Sequence, residues 1–580
     1  MKITKIEINN YRNLSGLNIY FDETCNFIVG ENNVGKSNLL WLLNTVLATT
    51  NRSFNPEDFK DQDKPIEIIL ELKLDDIEVG NFGAYFNHED ERLIRIIARQ
   101  GSIDEIIEFF HKETNAPIRS EYIRCINFIH YDSLRNPITE INFDKGKGVG
   151  KFLKNIVSKY LKNNQIADTD FIDPQKIETL ITMINGNLSK IKSFKDYDIS
   201  ASADNDIESL LSKLIILKDA KGDNLTKAGY GVQFLILVTL SILEKIQFIT
   251  HQRGKKAIFE SDNGEKAISL VLGLDEPEIH LHPYLQRTLI KYLKEIISNK
   301  NEDFKQLIKD LFDIDEFVGQ IIVVTHSPNI VLDDYHQITR FFTKKQRLSI
   351  KCGSQLKNID SNKNLQKHLY LHFPFIKEAF FAKCVIFVEG DSEFASLPTL
   401  GEKLFADFDD LGICVIQARG EAVAKLMQVA DSFGIPSVGI TDKDDGEKKS
   451  SSPTHYQTNL RDFEEEFIDL LLKAGQERTL RAILIEYDPK GIERIMNVEA
   501  LKNRASRYKV IDYEYMIDLK LADILDSDIL NLKSYYLTWF SINKSFPLGK
   551  LIGDTLSSEQ IPTIYKTVIE KAYNLTRENV

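Results

Sequence analysis

Gly30-Glu31-Asn32-Asn33-Val34-Gly35-Lys36-Ser37 decides the fold of the first half of this chain. The spacing is that of a phosphate-binding loop, GxxxxGK[ST]. Gly30 and Gly35 let the backbone curl so that its N–H groups, Asn33 among them, point inward at an anion. Lys36 adds positive charge for the terminal phosphates, and Ser37 offers a hydroxyl to Mg²⁺. Residues 26–29 read as a strand, and the leucines from Asn38 to Ala48 as a helix, which is the context the motif needs. ATP with Mg²⁺ is therefore the first ligand expected.

Working outward, residues 3–8, 66–74, 91–99 and 121–130 read as further strands. Residues 268–275 and 320–325 are near-continuous apolar runs, which fit buried parallel strands. The first run ends in Asp275-Glu276, where Asp275 can hold Mg²⁺ and Glu276 can polarise an attacking water. The second leads into Thr325-His326-Ser327, where His326 is placed to sense a γ-phosphate. Gly229-Tyr230-Gly231-Val232-Gln233 precedes an apolar helix, so Gly229, Gly231 and Gln233 are candidates for a second anion contact at a helix start. His280 and His282 have no third ligand nearby in sequence and do not read as a zinc site. These elements resemble the ABC-type ATPase family. Gly229–Gln233 stands where that family places its signature loop, although it departs from the usual Leu-Ser-Gly-Gly-Gln.

A second pattern lies downstream. An apolar strand at 385–388 delivers Glu389 at its C-terminal end, the place where α/β sheets set their sites. Gly390 permits a tight turn, and Glu393 follows four residues after Glu389. A strand at 437–441 then ends in Asp442-Lys443-Asp444, and alternate residues on a strand face the same way. Carboxylates gathered at this density repel one another unless a cation joins them. Oxygen-only ligands favour Mg²⁺ or Mn²⁺. The order strand–Glu-Gly–helix, then strand–Asp-x-Asp, resembles the Toprim fold of topoisomerases, primases and certain nucleases. Asp462 and Glu464 could complete a second cation site, and cations in such a pair activate water and stabilise the leaving oxygen. In Asn543–Lys550, Lys544 is the first candidate for a fixed positive charge on the reacting phosphate and Lys550 the second.

The composition bounds these readings. A chain of 580 residues exceeds one ordinary core. No apolar run is long enough to span a bilayer and Met1–Ile6 lacks a signal-peptide h-region, so a soluble cytoplasmic protein is expected. A net charge of −13 argues against a protein that coats DNA non-specifically, but leaves room for a local basic groove. Arg253-Gly254-Lys255-Lys256 and Lys344-Lys345-Gln346-Arg347 are the clearest basic clusters, read as surface turns. The five cysteines form no CxxC pair, which excludes a disulfide framework or zinc ribbon.

The expected class is α/β. An ABC-type P-loop ATPase occupies 1–148 and 218–375, interrupted by a helical insertion at 149–217 for dimerisation or coupling. A Toprim nuclease domain with a helical tail occupies 376–580. An ABC-type ATPase ahead of Toprim resembles the OLD (overcoming lysogenization defect) family. That resemblance implies divalent-metal cleavage of DNA under ATP control, a homodimer or larger homo-oligomer, and a role in bacterial defence against phage. It further implies a possible helicase-like or retron RNA–DNA partner, since relatives include the Gabija nuclease subunit and retron-associated nucleases. The rival reading is a DNA repair or topology ATPase whose Toprim domain rejoins or only binds nucleic acid.

Overall fold

The computed structural model describes residues 1–47, 53–83, 85–132, 174–190, 200–202, 216–218, 230–250, 257–279, 281–332, 334–405, 407–420, 422–444, 452–508 and 518–578. They form two compact units, Met1–Phe341 with Cys352–Gln355, and Phe342–Lys351 with Leu356–Val580. This division falls ahead of the expected boundary at 375, and the helix Lys363–Ile376 belongs to the second unit.

The first unit is built on a largely parallel sheet. Lys266–Asp275 pairs with Glu316–Val324, which pairs with Cys25–Gly30, which pairs with Ile338–Lys344. Phe128–Tyr131 lies parallel to Lys266–Asp275 on its other side. The central strands are apolar almost throughout because both faces are covered. Parallel register brings Asp275 level with Val324, and Val324 level with Ile28, so the acidic pair and the phosphate loop leave the sheet at the same end. The residues expected as a strand at 121–130 divide instead. Ser120–Ile123 is a helical turn, and only Phe128–Tyr131 is strand. Ile123 and Ile126 are both buried, and their three-residue spacing suits a turn rather than a pleat.

A second, antiparallel sheet runs in the order Asn18–Tyr20, Lys2–Asn9, Ile66–Lys73, Leu93–Gln100, Glu108–His111. Its inner face is aliphatic, with Ile6, Ile8, Ile68, Leu70, Ile94 and Ile96 buried. Its outer face sets Glu67 opposite Arg99 and Glu71 opposite Arg95, and both pairs form ion pairs. Most of the expected insertion at 149–217 lies outside the described residues. The described part is the helix Pro174–Leu188 and a ribbon of Ser200–Ser202 with Ile216–Lys218. Arg253–Lys256 also lies outside. Lys345 and Gln346 turn through positive φ between two strands, as a surface turn requires.

The second unit holds four parallel strands in the order Ile413–Gln417, Cys384–Val388, Ser437–Thr441, His455–Gln457. The strand that delivers Glu389 is therefore flanked on both sides. The polar stretch 443–458 reads as loop in the sequence, yet His455–Gln457 within it is strand. It is a half-exposed edge strand without an apolar run to announce it. The tail is helical, and Ile529–Asn543 buries Tyr535, Tyr536, Trp539 and Phe540 in the core beside Phe463 and Phe467. None of the five cysteines is in a disulfide. Among the described residues no helix is long and apolar enough to cross a membrane.

Candidate active sites

The phosphate loop takes its shape from two constraints. Gly30 has φ 129, and a Cβ there would lie 1.8 Å from the Phe341 carbonyl oxygen, so only glycine fits. Asn33 adopts φ 59, the left-handed region that asparagine tolerates better than most residues. Lys36 is buried and folds back over the loop, donating to the carbonyls of Gly30 (3.0 Å) and Glu31 (2.6 Å). Burial pushes its ammonium down to about 8, against the pull of Glu276, Glu278, Glu31 and Asp275. An anion placed here meets a cation poor in water contacts.

Ser37 and Asp275, 238 residues apart, meet directly, with Oγ donating to Oδ1 at 2.8 Å. Both groups expected at the nucleotide's Mg²⁺ can thus reach one ion. Burial raises Asp275 to about 6; the Ser37 bond pulls the other way and Glu276 adds to the rise. Glu276 follows at φ 45, its N–H donating to the Val324 carbonyl. Its Oε1 lies 3.3 Å from His326 Nε2. Burial and then Lys36 lower the His326 pKa, which favours the neutral imidazole.

The remaining anion candidates are placed less directly. Gly229 lies outside the described residues. Gly231 and Gln233 fall within the helix Tyr230–Phe248, and Gln233 is buried. His282 caps the helix Pro283–Ile297, accepting from the Tyr284 N–H, which gives it a structural role.

Sequence reasoning missed three supports of this site. Asn13 donates to the Val34 carbonyl and accepts from Asn38, bracing the loop from the helical turn Arg12–Leu14. Arg12 joins Asp58 (2.6 Å) to Asn38 (2.8 Å). Glu278 accepts from the His326 N–H at 2.6 Å. A lone Arg-Asn pair or a second glutamate carries no spacing signal, because these contacts are set by the fold.

The acids of the second unit gather around Lys544. Its Nζ lies 2.8 Å from Glu464 Oε2. Burial alone would lower this lysine; Glu464, Asp442 and Asp462 outweigh it and raise its pKa. Glu389 Oε2 accepts from the Asp442 N–H, tying the ends of two neighbouring strands. Glu393 is fully enclosed. It accepts from the Gly390 N–H at 2.7 Å and from the Tyr565 hydroxyl at 2.5 Å. Burial pushes it up to about 7, against Tyr565 and Lys544. Asp442 is raised by burial and then by Glu393, and Asp462 by burial and then by Glu464.

Asp462 caps the helix Phe463–Lys473 through the Glu465 N–H, and Tyr508 donates to its other oxygen at 2.8 Å. Two oxygens stand out. Asp442 Oδ1 and Glu464 Oε1 are buried with no hydrogen-bond partner among the described residues. Orphaned buried carboxylate oxygens are costly, and a bound cation would satisfy them. Asp444 stands apart, exposed at φ 50, with its N–H tied to the Arg461 carbonyl. Lys550 is exposed on the helix Phe546–Thr555.

The donor set, all oxygen with two orphaned atoms, fits a hard divalent ion in chemistry. Among the described residues no three His, Cys, Asp or Glu side chains yet converge on one point. The carboxylates would therefore have to turn to share an ion.

Comparison with known proteins follows this division. The family model of an AAA ATPase domain matches residues 1–331, more than half of the chain. The model of the overcoming lysogenization defect protein-like TOPRIM domain matches residues 380–444. The chain belongs to the AAA ATPase domain family and carries a Toprim domain like that of the overcoming lysogenization defect proteins. Endonuclease GajA of Bacillus cereus (strain VD045) is 25% identical over 494 residues, covering 77% of this chain and 76% of the relative. Septu protein PtuA of Bacillus thuringiensis is 24% identical over 57% of this chain and 72% of its own length. Among solved structures, an Smc head bound to the C-winged helix domain of ScpA covers 60% of this chain and 97% of its own at 15% identity and TM-score 0.36. The C-terminal region of the Xanthomonas campestris pv. campestris OLD protein covers 34% of this chain and 96% of its own at 18% identity and TM-score 0.23. The matched Toprim segment holds Glu389, Glu393, Asp442 and Asp444. Asp462, Glu464, Lys544 and Tyr565 come from the tail beyond it.

Proposed function

We propose that this chain is an ATP-dependent DNA endonuclease of bacterial anti-phage defence, which hydrolyses phosphodiester bonds with two divalent cations at the Toprim acids. The observation that carries this reading is the pair of orphaned buried oxygens, Asp442 Oδ1 and Glu464 Oε1, in the acid cluster around Lys544. Glu389, Glu393 and Asp442 would hold one Mg²⁺ or Mn²⁺, and Asp462 and Glu464 a second, with Asp444 at the exposed edge. Bound cations would supply an activated water and neutralise charge on the phosphate. Lys544 adds a fixed positive charge for that phosphate, and Lys550 is the second candidate for this role. At the other site Lys36 and Ser37 would bind ATP, Asp275 would hold its Mg²⁺, and Glu276 would orient the water beside His326. The likeness to an endonuclease supports the cutting reaction, and in the defence role we propose the chain works as a homodimer or larger homo-oligomer in the cytoplasm with a helicase-like or RNA–DNA partner.

The rejoining alternative needs a nucleophilic tyrosine. Among the described residues the two tyrosines that touch the acids, Tyr508 and Tyr565, each donate to a carboxylate, and burial raises both above the ordinary phenol range. Neither is disposed to attack phosphorus, which supports hydrolysis. The test is full-length protein with plasmid DNA and Mg²⁺ or Mn²⁺, with and without ATP. Cleavage is expected from the wild type and not from Glu389→Ala or Asp442→Ala. Undiminished cutting by both variants would reject the assignment.

A further inference from the structure

The phosphate loop contains an acid, Glu31, where an anion is to bind. The structure also holds a fully buried arginine that the chemistry above does not use. Arg340, on the strand Ile338–Lys344, is 0% exposed, and its guanidinium lies 4.0 Å from Glu31 Oε1. Burial pushes its pKa down to about 10, with Glu31 opposing the fall. The backbones meet at the same place. The Glu31 N–H donates to the carbonyl of Phe341, the residue after Arg340, and that carbonyl is the one that fills the space a Gly30 Cβ would need. The Glu31 carbonyl in turn accepts from Lys36 at 2.6 Å.

We infer that Arg340 is an electrostatic positioning residue for the nucleotide site: it neutralises Glu31, so that the loop presents only its N–H groups and Lys36 to the phosphates. Glu31 without this partner is a half-buried negative charge beside a polyphosphate, where like charges repel. The inference rests on the ATP reading and adds to it a charge pair, its arginine buried, with a definite sign.

The sign separates this role from simple bracing. If the pair only held the loop in shape, losing either partner would weaken nucleotide binding. If it neutralises, losing Arg340 weakens binding, losing Glu31 does not, and losing both restores it. The experiment is equilibrium binding of a fluorescent ATP analogue with Mg²⁺ to the full-length chain, with thermal melting run alongside. Arg340→Met is expected to weaken binding about tenfold. Glu31→Gln is expected to bind as tightly as the wild type or tighter, and the double variant to return to within about threefold of Glu31→Gln. Should Arg340→Met fail to fold, Glu31→Gln and the double variant carry the test. Binding by Glu31→Gln more than about threefold weaker than wild type overturns the inference, as does a double variant no better than Arg340→Met. A wild-type chain that binds no nucleotide, or a Lys36→Ala variant that binds normally, defeats the ATP reading itself and takes this inference with it.

Discussion

Glu276 holds its side chain on a left-handed backbone, φ 45, that few non-glycine residues adopt. Such strain costs of order 1–3 kcal/mol and survives where the surroundings over-determine the geometry. Here the Val324 carbonyl holds the N–H, and His326 stands beside the carboxylate. Glu276→Gln keeps the shape and removes the base. ATP turnover is expected to fall about 10²–10⁴-fold while nucleotide affinity stays within about threefold, read by phosphate release and by binding. An equal loss of both would place Glu276 in binding rather than catalysis. In the acid cluster, Asp442→Asn and Glu464→Gln are each expected to weaken Mn²⁺ binding by at least about tenfold, measured by titration calorimetry. Lys544→Met should leave that affinity standing and stop DNA cleavage. Lys36 and Ser37 were legible from spacing because a phosphate loop is local chemistry. Tyr565 was not, since it reaches Glu393 across 172 positions with no motif to mark it.

At the scale of elements, the acidic site depends on how closely two helices approach. Asp391–Leu404, which begins at the Glu389-Gly390 turn, lies against Phe546–Thr555, which begins just after Lys544. A Cβ on Gly549 would lie 2.6 Å from the backbone of Ser392, and one on Gly553 would lie 3.0 Å from the Ser396 carbonyl. Small residues four apart on both helices allow this contact and bring Lys544 to the acids. Lys403 fastens the far end, donating to the carbonyls of Gly553 (2.7 Å), Asp554 (2.7 Å) and Leu556 (2.6 Å). Gly549→Val is expected to destabilise the protein by about 1–3 kcal/mol through overpacking, seen in denaturant melts. It should also cost nuclease activity more than ATPase activity, and a neutral result would show that the helices can part without harm. The apolar strands of both sheets were readable because burial on two faces leaves a run of aliphatic residues. His455–Gln457 was not, because an edge strand needs no such run.

For the molecule as a whole, the buried acids tie stability to pH. Glu393 is pushed up to about 7, and Asp442 and Asp462 also rise, burial being the first cause for each. An acid with a higher pKa folded than unfolded holds its proton longer in the folded state. Its contribution is whole below the ordinary carboxylate range, about pH 4, and is lost as pH rises through the folded value. The metal-free protein should therefore melt at lower temperature at about pH 8 than at about pH 5, and Mg²⁺ should raise the melting temperature more at the higher pH. Asp442→Asn should flatten both trends; a wild-type protein without either trend would remove the acids from this role. By itself the sequence determined that this chain carries a phosphate loop on a parallel sheet and, after it, a strand-borne acidic pattern, because both are written in neighbouring residues and their periodicity. Only the tertiary structure decided that Asp442 and Glu464 each bury an unpartnered oxygen, that Asp444 stands outside, that Lys544 rather than Lys550 meets the acids, and that Arg340 faces Glu31. Those facts depend on which distant segments share a dry interior, and local spacing does not encode where a chain excludes water.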